Sequence, residues 1–238
     1  MKKKKSNMLK SEPKSQANDL NSHFSELRKR IVISLIIYVI ATVLGFIFHR
    51  NILSLMVEPV TEINQLSQGL PVFTNITEFW SVVMKVSLLS GLLLSFPLIS
   101  YQILAFVLPG LKNNEKKFII ILLPGSIISF YAGAAFGFFV LLPPAINFLV
   151  FFGGDISEPL IRIGSLVQLT INLMLWMGVC FQLPIIMYLL TSIKVVNAKK
   201  LSYFRKYFII FSFVLGAVIT PTFDPVNQII VALPIMFL

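Results

Sequence analysis

An all-helical membrane fold with six transmembrane helices is predicted by three observations on this 238-residue chain. Apolar runs of about 18 to 30 residues recur along it, long enough to cross a hydrocarbon core of about 30 Å. Basic residues gather in alternate gaps between these runs: of the 20 Lys and Arg, nine fall in Lys2–Arg30, three in Lys112–Lys117 and five in Lys194–Lys206. The chain is 56% hydrophobic and 13% charged, more apolar surface than a soluble core of this length hides. By the positive-inside rule the basic gaps face the cytoplasmic or stromal side, and both termini lie there.

The elements follow in order. Residues 1–20, rich in Lys with Ser, Asn, Glu and Gln, read as a disordered basic tail ahead of a membrane domain spanning 21–238. The charged stretch is too long, and the first apolar run too extended, for a cleavable signal peptide. The first span is expected at about Ile31–Phe48. The second is expected at about Phe79–Phe106, kinked at Pro97, which lacks an N–H and crowds the preceding turn. The third runs from about Phe118 to Leu142 and the fourth from about Leu166 to Leu190. The fifth, about Tyr207–Thr220, and the sixth, about Val226–Leu238, are short. About 14 residues reach roughly 21 Å, so these helices borrow flanking residues, sit in a thinned bilayer or form a re-entrant hairpin. Two short spans keep both basic flanks inside, which favours that arrangement.

The outer segments are His49–Glu78, Pro143–Ser165 and a tight turn at Pro221–Pro225. The first mixes apolar and polar residues, and short surface helices broken at Pro59 and Pro71 are expected in it.

Composition excludes several functions. The net charge of +10 does not point to nucleic acid, because the basic residues flank spans instead of forming one patch with stacking aromatics. They suit anionic lipid. Cys180, the only cysteine, lies in an apolar run and reads as a small hydrophobe. No Cys/His cluster suggests a metal, and no HExxH, GxSxG, P-loop or GxGxxG motif suggests catalysis or a cofactor. His23 and His49 flank one span at opposite ends and cannot share a site across about 30 Å. The chain therefore reads as a non-enzyme. A small solute carrier or channel is the competing class, with Lys85, Gln182 and Asp224 along its path; the lack of an internal repeat counts against it.

Polar and small residues within the spans need an account. Gly125, Ser129, Gly133 and Gly137, four apart, form a helix stripe that admits another backbone closely. Ser87, Gly91 and Ser95 form a second stripe, and the two are expected to be mates because hairpin-linked spans are usually neighbours. Gln182, about 12 Å from the inner end of its span, needs a hydrogen-bond partner, within the chain or on another protein. Lys85 can snorkel outward. Asp224-Pro225 reads as a helix N-cap followed by Pro at the first helical position. Glu26 and Glu115 are lone carboxylates among cations at the inner edge. Each makes local ion pairs of small value, or the two together accept the guanidinium groups of a cationic ligand.

The stretch Ser22-His23-Phe24-Ser25-Glu26-Leu27-Arg28-Lys29-Arg30 resembles the N-terminal signature of the TatC family, the multispanning core of the twin-arginine protein translocase. The likeness continues in order through Val57-Glu58-Pro59, Asn75-Ile76-Thr77-Glu78-Phe79, Lys85-Val86-Ser87, Tyr101-Gln102, Ala105-Phe106, Pro109-Gly110-Leu111 and Glu115-Lys116-Lys117. Phe181-Gln182-Leu183-Pro184, Thr220-Pro221, Asp224-Pro225, Gln228 and Ala232-Leu233-Pro234 complete it.

The resemblance implies a receptor for signal peptides with paired arginines that helps move folded proteins across an energised membrane. It implies that Glu26 and Glu115 read the arginine pair, with Arg28 and Phe106 near that surface. It links Pro59 and Asp224 to assembly or transport, and it places Gln182 where some members carry glutamate. It implies single-span TatA/TatB-type partners and self-association; members of the family usually continue to a basic or polar inner tail, from which this sequence departs by stopping at Leu238. The wealth of Phe, Ile and Lys suits a plastid genome and hence a thylakoid membrane; a bacterial plasma membrane and a mitochondrial inner membrane are the alternatives.

Overall fold

The computed structural model describes residues 12–61, 71–107, 113–151, 161–192, 198–219 and 225–237. In chain order these form α1 (Glu12–Ile47), α2 (His49–Thr61), α3 (Glu78–Val107), α4 (Asn113–Phe136), a π-turn (Gly137–Leu141), α5 (Leu142–Phe151), α6 (Ile163–Cys180), α7 (Leu183–Ser192), α8 (Ala198–Ile219) and α9 (Pro225–Phe237). Among the described residues, extended pairing is confined to one parallel bridge between Val72 and Arg162. Four helical stretches are long and apolar enough to cross a membrane: Phe24–Ile47, Glu78–Val107, Leu122–Val150 and Ile163–Thr191. Lys206–Ile219 is a shorter apolar helix.

Several boundaries differ from the expected ones, each for a local reason. Residues 12–20, read as part of a disordered tail, are helical; Pro13 stands in the first turn, where a missing N–H costs nothing. Residues 1–11 lie outside the described set. Pro59 does not break the first outer helix, because α2 continues to Thr61. The third span does not stop at Leu142. Its helix widens into the π-turn, where the Leu142 N–H donates to the Gly137 carbonyl, and then continues as α5 to Phe151. The widened turn relieves the clash that Pro143 and Pro144 would make with the preceding carbonyls, and both prolines then fall at the start of a fresh helix.

The fourth span is broken. The chain turns through Phe181 and Gln182, where the Gln182 N–H reaches back three residues to the Val179 carbonyl at 3.0 Å. Pro184 cannot supply the N–H that would continue the ladder to Cys180. Helix α8 is longer than the apolar run expected there: it begins in the basic flank and has 22 residues, about 33 Å.

Helix α6 is the centre of the bundle. Leu166, Leu169, Leu173, Met177 and Cys180 pack with Phe138, Leu141, Leu142 and Ile146 from the third span, Ile219 from α8, and Val231 and Ile235 from α9. Its Ile163 and Val167 join a second cluster with Val82, Val83, Val86 and Leu89 of α3 and Leu53 and Met56 of α2. A smaller inner cluster joins Leu104 of α3 to Leu122 of α4.

The two small-residue stripes are not mates. A Cβ on Gly133 or Gly137 would strike the Met177 and Leu173 carbonyls of α6, and Gly178 of α6 in turn lies under the Phe130 ring of α4. The stripe on α3 instead meets α1: a Cβ on Gly91 would strike Thr42, and one on Gly45 would strike Ser90. Spans one and two therefore pair closely, as do spans three and four. The physical reason is that each glycine removes the side chain that would hold two backbones apart. Sequence neighbours in the second and third spans contact through larger groups, with Phe96 stacked on Phe130 at a centroid distance of 3.5 Å.

Candidate receptor site

The C-terminal half of α3 and the facing stretch of α1 enclose a groove of about 510 Å³. Leu27, Arg30, Ile31, Ser34, Leu35 and Tyr38 line one wall, and Leu92, Ile99, Gln102, Ile103 and Phe106 the other. Both sets recur at intervals of three and four, which puts each on a single helix face. The walls are apolar along nearly all of their length, and Arg30 and Gln102 meet across them. Pro97 lies within the α3 wall. It leaves the Leu93 carbonyl without a helical donor, and the Tyr131 hydroxyl of α4 donates to that carbonyl at 2.8 Å.

Beside the groove, Glu26 accepts from Arg30 one turn later. The guanidinium approaches one carboxylate oxygen, Oε1, from both Nε at 3.0 Å and Nη2 at 2.6 Å. Arg30 Nη1 also donates to Gln102 Oε1 of α3 at 3.2 Å. The side chains of Arg30 and Glu26 are 23% and 36% exposed, so the pair sits at the boundary between groove and solvent. Arg28 is exposed on another face of α1. Phe106 and Arg30 thus line the groove, and Glu26 is linked to it through Arg30. The Glu115 side chain lies outside the described residues, although its backbone is in the first turn of α4. The Pro59 side chain and Asp224 lie outside them as well.

Gln182 is satisfied within the chain. Ser126 Oγ donates to its Oε1 at 2.7 Å, and its Nε2 donates to the Ser126 carbonyl at 3.1 Å. Ser129 Oγ donates to the Phe181 carbonyl at 2.6 Å, so two serines of α4 serve the break between α6 and α7. Gly125, on the same stripe, meets nothing within 4 Å. Lys85 is exposed on α3, and Cys180 is buried in the core.

Sequence reasoning missed several contacts. Arg30 was legible only as one of three cations near Glu26. Gln102, 72 residues away, carried no signal beyond its place in a matching stretch. At the opposite end of the bundle, Glu78 accepts from Thr74 N at 2.9 Å, Thr74 Oγ1 at 3.0 Å and the Gly164 N–H at 3.1 Å. Arg162 Nη2 lies 3.6 Å from it. With the bridge bonds from Val72 N to Ile161 O and from Ile163 N to Val72 O, this carboxylate ties the segment before α3 to the segment before α6.

Residues 22–234 match the family model for the Sec-independent protein translocase protein, TatC. The TatC protein of Carboxydothermus hydrogenoformans is 36% identical over 219 residues, covering 92% of this chain and 88% of that one. An uncharacterized TatC-like protein of Gracilaria tenuistipitata is 37% identical over 218 residues, 91% of this chain and 88% of the relative. The chloroplastic TATC protein of Arabidopsis thaliana is 37% identical over 219 residues, 90% of this chain and 62% of the relative. A crystal structure of the twin arginine translocase receptor TatC superposes with a TM-score of 0.80 at 32% identity, covering 90% of this chain and 93% of that one. Sequence and fold agree over the same residues, and the chain belongs to the TatC family of Sec-independent protein translocase proteins.

Proposed function

We propose that this integral membrane protein is the receptor subunit of a twin-arginine translocase, binding paired-arginine signal peptides and helping folded proteins cross an energised membrane. The observation that carries this reading is the apolar groove between α1 and α3, with Phe106 on its wall and the Glu26 carboxylate beside it, held by the groove residue Arg30. A signal peptide of this kind presents forked cations beside an apolar stretch. A carboxylate accepts a guanidinium bidentately, which an ammonium cannot match, and the apolar wall suits the residues that follow. Glu115 is the second carboxylate of the site and Arg28 flanks it.

In this reading α8 and α9 are the fifth and sixth spans, and both termini face the basic, inner side. Single-span TatA/TatB-type subunits and further copies of the chain are its partners, with Pro59, Gln182 and Asp224 serving assembly or transport. Each elementary charge moved through 100 mV changes energy by about 2.3 kcal/mol, so a transmembrane potential suffices to bias the movement. The bacterial and chloroplastic relatives fit an energy-conserving membrane, and we assign the chain to a thylakoid membrane.

The test is crosslinking of a paired-arginine signal peptide to the protein in its native membrane. Glu26→Ala and Glu115→Ala are expected to lose the crosslink, as is a Lys-Lys signal on the wild type. Equal crosslinking of both signals to all three proteins would remove these carboxylates from recognition.

A further inference from the structure

We infer that Arg30 is an internal occupant of the receptor carboxylate, which an incoming guanidinium must displace from Glu26. The inference rests on the receptor reading above and goes beyond it. Arg30 offers Glu26 the same chemical group as the ligand: two nitrogens of its fork converge on Oε1 at 3.0 and 2.6 Å. A carboxylate binds a guanidinium best through both oxygens at once. With Oε1 held by two N–H groups and the carboxylate charge neutralised, an incoming cation, guanidinium or ammonium, gains little from Glu26 until Arg30 lets go.

A helical pair four residues apart is ordinarily weak and mobile. Here the third nitrogen, Nη1, is fixed by Gln102 from the opposite wall of the groove at 3.2 Å. The guanidinium is thereby held by α3 in the pose that occupies Glu26, and partial burial reduces the solvent screening of the pair. The pair also neutralises Glu26 beside the exposed Arg28 and Lys29.

An internal competitor weakens every ligand that uses Glu26 by the same factor. It leaves the ratio between paired arginine and paired lysine unchanged and sets a threshold: a strong ligand still binds, and a weak one falls below occupancy. Arg30 in this sense sets the affinity threshold of the site, acting through the availability of Glu26.

The experiment is a fluorescence anisotropy titration with the full chain in detergent micelles. The probes are a labelled peptide bearing Arg-Arg ahead of an apolar stretch and its Lys-Lys counterpart. Arg30→Gln is expected to tighten both peptides by a common factor of about two to five. Arg30→Lys, which keeps the charge and loses the fork, is expected to tighten them less. The double variant Glu26→Gln/Arg30→Gln is expected to bind as Glu26→Gln alone does. Weaker Arg-Arg binding by Arg30→Gln would overturn the inference and make Arg30 a supporting partner. The same gain in the Glu26→Gln background would also overturn it, since the effect would then be charge repulsion without occupancy. Equal Arg-Arg binding by wild type and Glu26→Gln would instead remove the receptor role of Glu26 itself, a result separable from the other two.

Discussion

The Tyr131 hydroxyl of α4 donates, at 2.8 Å, to the Leu93 carbonyl of α3, whose helical donor is missing because the residue four places on is Pro97. A proline that breaks the ladder of one helix is thus satisfied by a side chain from its neighbour. The shape of the α3 wall of the groove, on either side of Pro97, is tied to α4 by this bond.

Tyr131→Phe removes the donor and leaves the carbonyl unpaired. A loss of about 1 kcal/mol is expected, which lowers the melting temperature of a domain this size by about 2–4 °C. Thermal unfolding in detergent measures it, and an unchanged midpoint would show that the bond contributes nothing.

The glycine stripe on α4 is predicted to be unequal along its length. Gly133→Leu drives a side chain into the Met177 carbonyl and the Phe181 ring, with an overpacking cost of about 1–3 kcal/mol or a failure to assemble. Gly125→Ala meets open space and gains helix propensity, up to about 1 kcal/mol. Protease resistance of the two variants should therefore move in opposite directions. Equal sensitivity at both positions would contradict the packing.

Ser126 and Gln182 exchange two hydrogen bonds across 56 residues of sequence. A double-mutant cycle with Ser126→Ala and Gln182→Leu is expected to give a coupling energy of about 0.6–2 kcal/mol. The serine substitution leaves its own carbonyl in place, so part of the interaction survives in that single variant. Additive losses would mean that Gln182 acts elsewhere.

The Glu78 clamp makes a graded prediction. Glu78→Gln turns an acceptor of three hydrogen bonds into a group that presents an amide to N–H donors, and a lower melting temperature is expected. Arg162→Ala removes only a half-exposed partner at 3.6 Å, worth at most about 1 kcal/mol. Amide hydrogen exchange at Gly164 should rise strongly in the first variant and little in the second. Equal rises would point to the arginine as the dominant partner.

The amino-acid sequence by itself determined the class of this protein and the positions of its first two spans. The length of an apolar run, and the sign of charge at its ends, are local quantities that act on the bilayer without reference to any other helix. Proline positions were legible too, yet their effect was not. Pro97 stays within a continuous helix, Pro184 follows a break, and Pro143-Pro144 follow a π-turn that the sequence reading took for the end of a span. Only the tertiary structure decided those outcomes, because each depends on which neighbour can serve the freed backbone groups or which register shift makes room. It likewise decided that the α4 stripe meets α6 and the α3 stripe meets α1, that Gln182 is answered by Ser126, and that Gln102 holds Arg30 on Glu26. Such pairings join residues 38 to 72 positions apart. A hydrogen bond acts over about 3 Å, so its partner is chosen by packing, which no local pattern in a single sequence records.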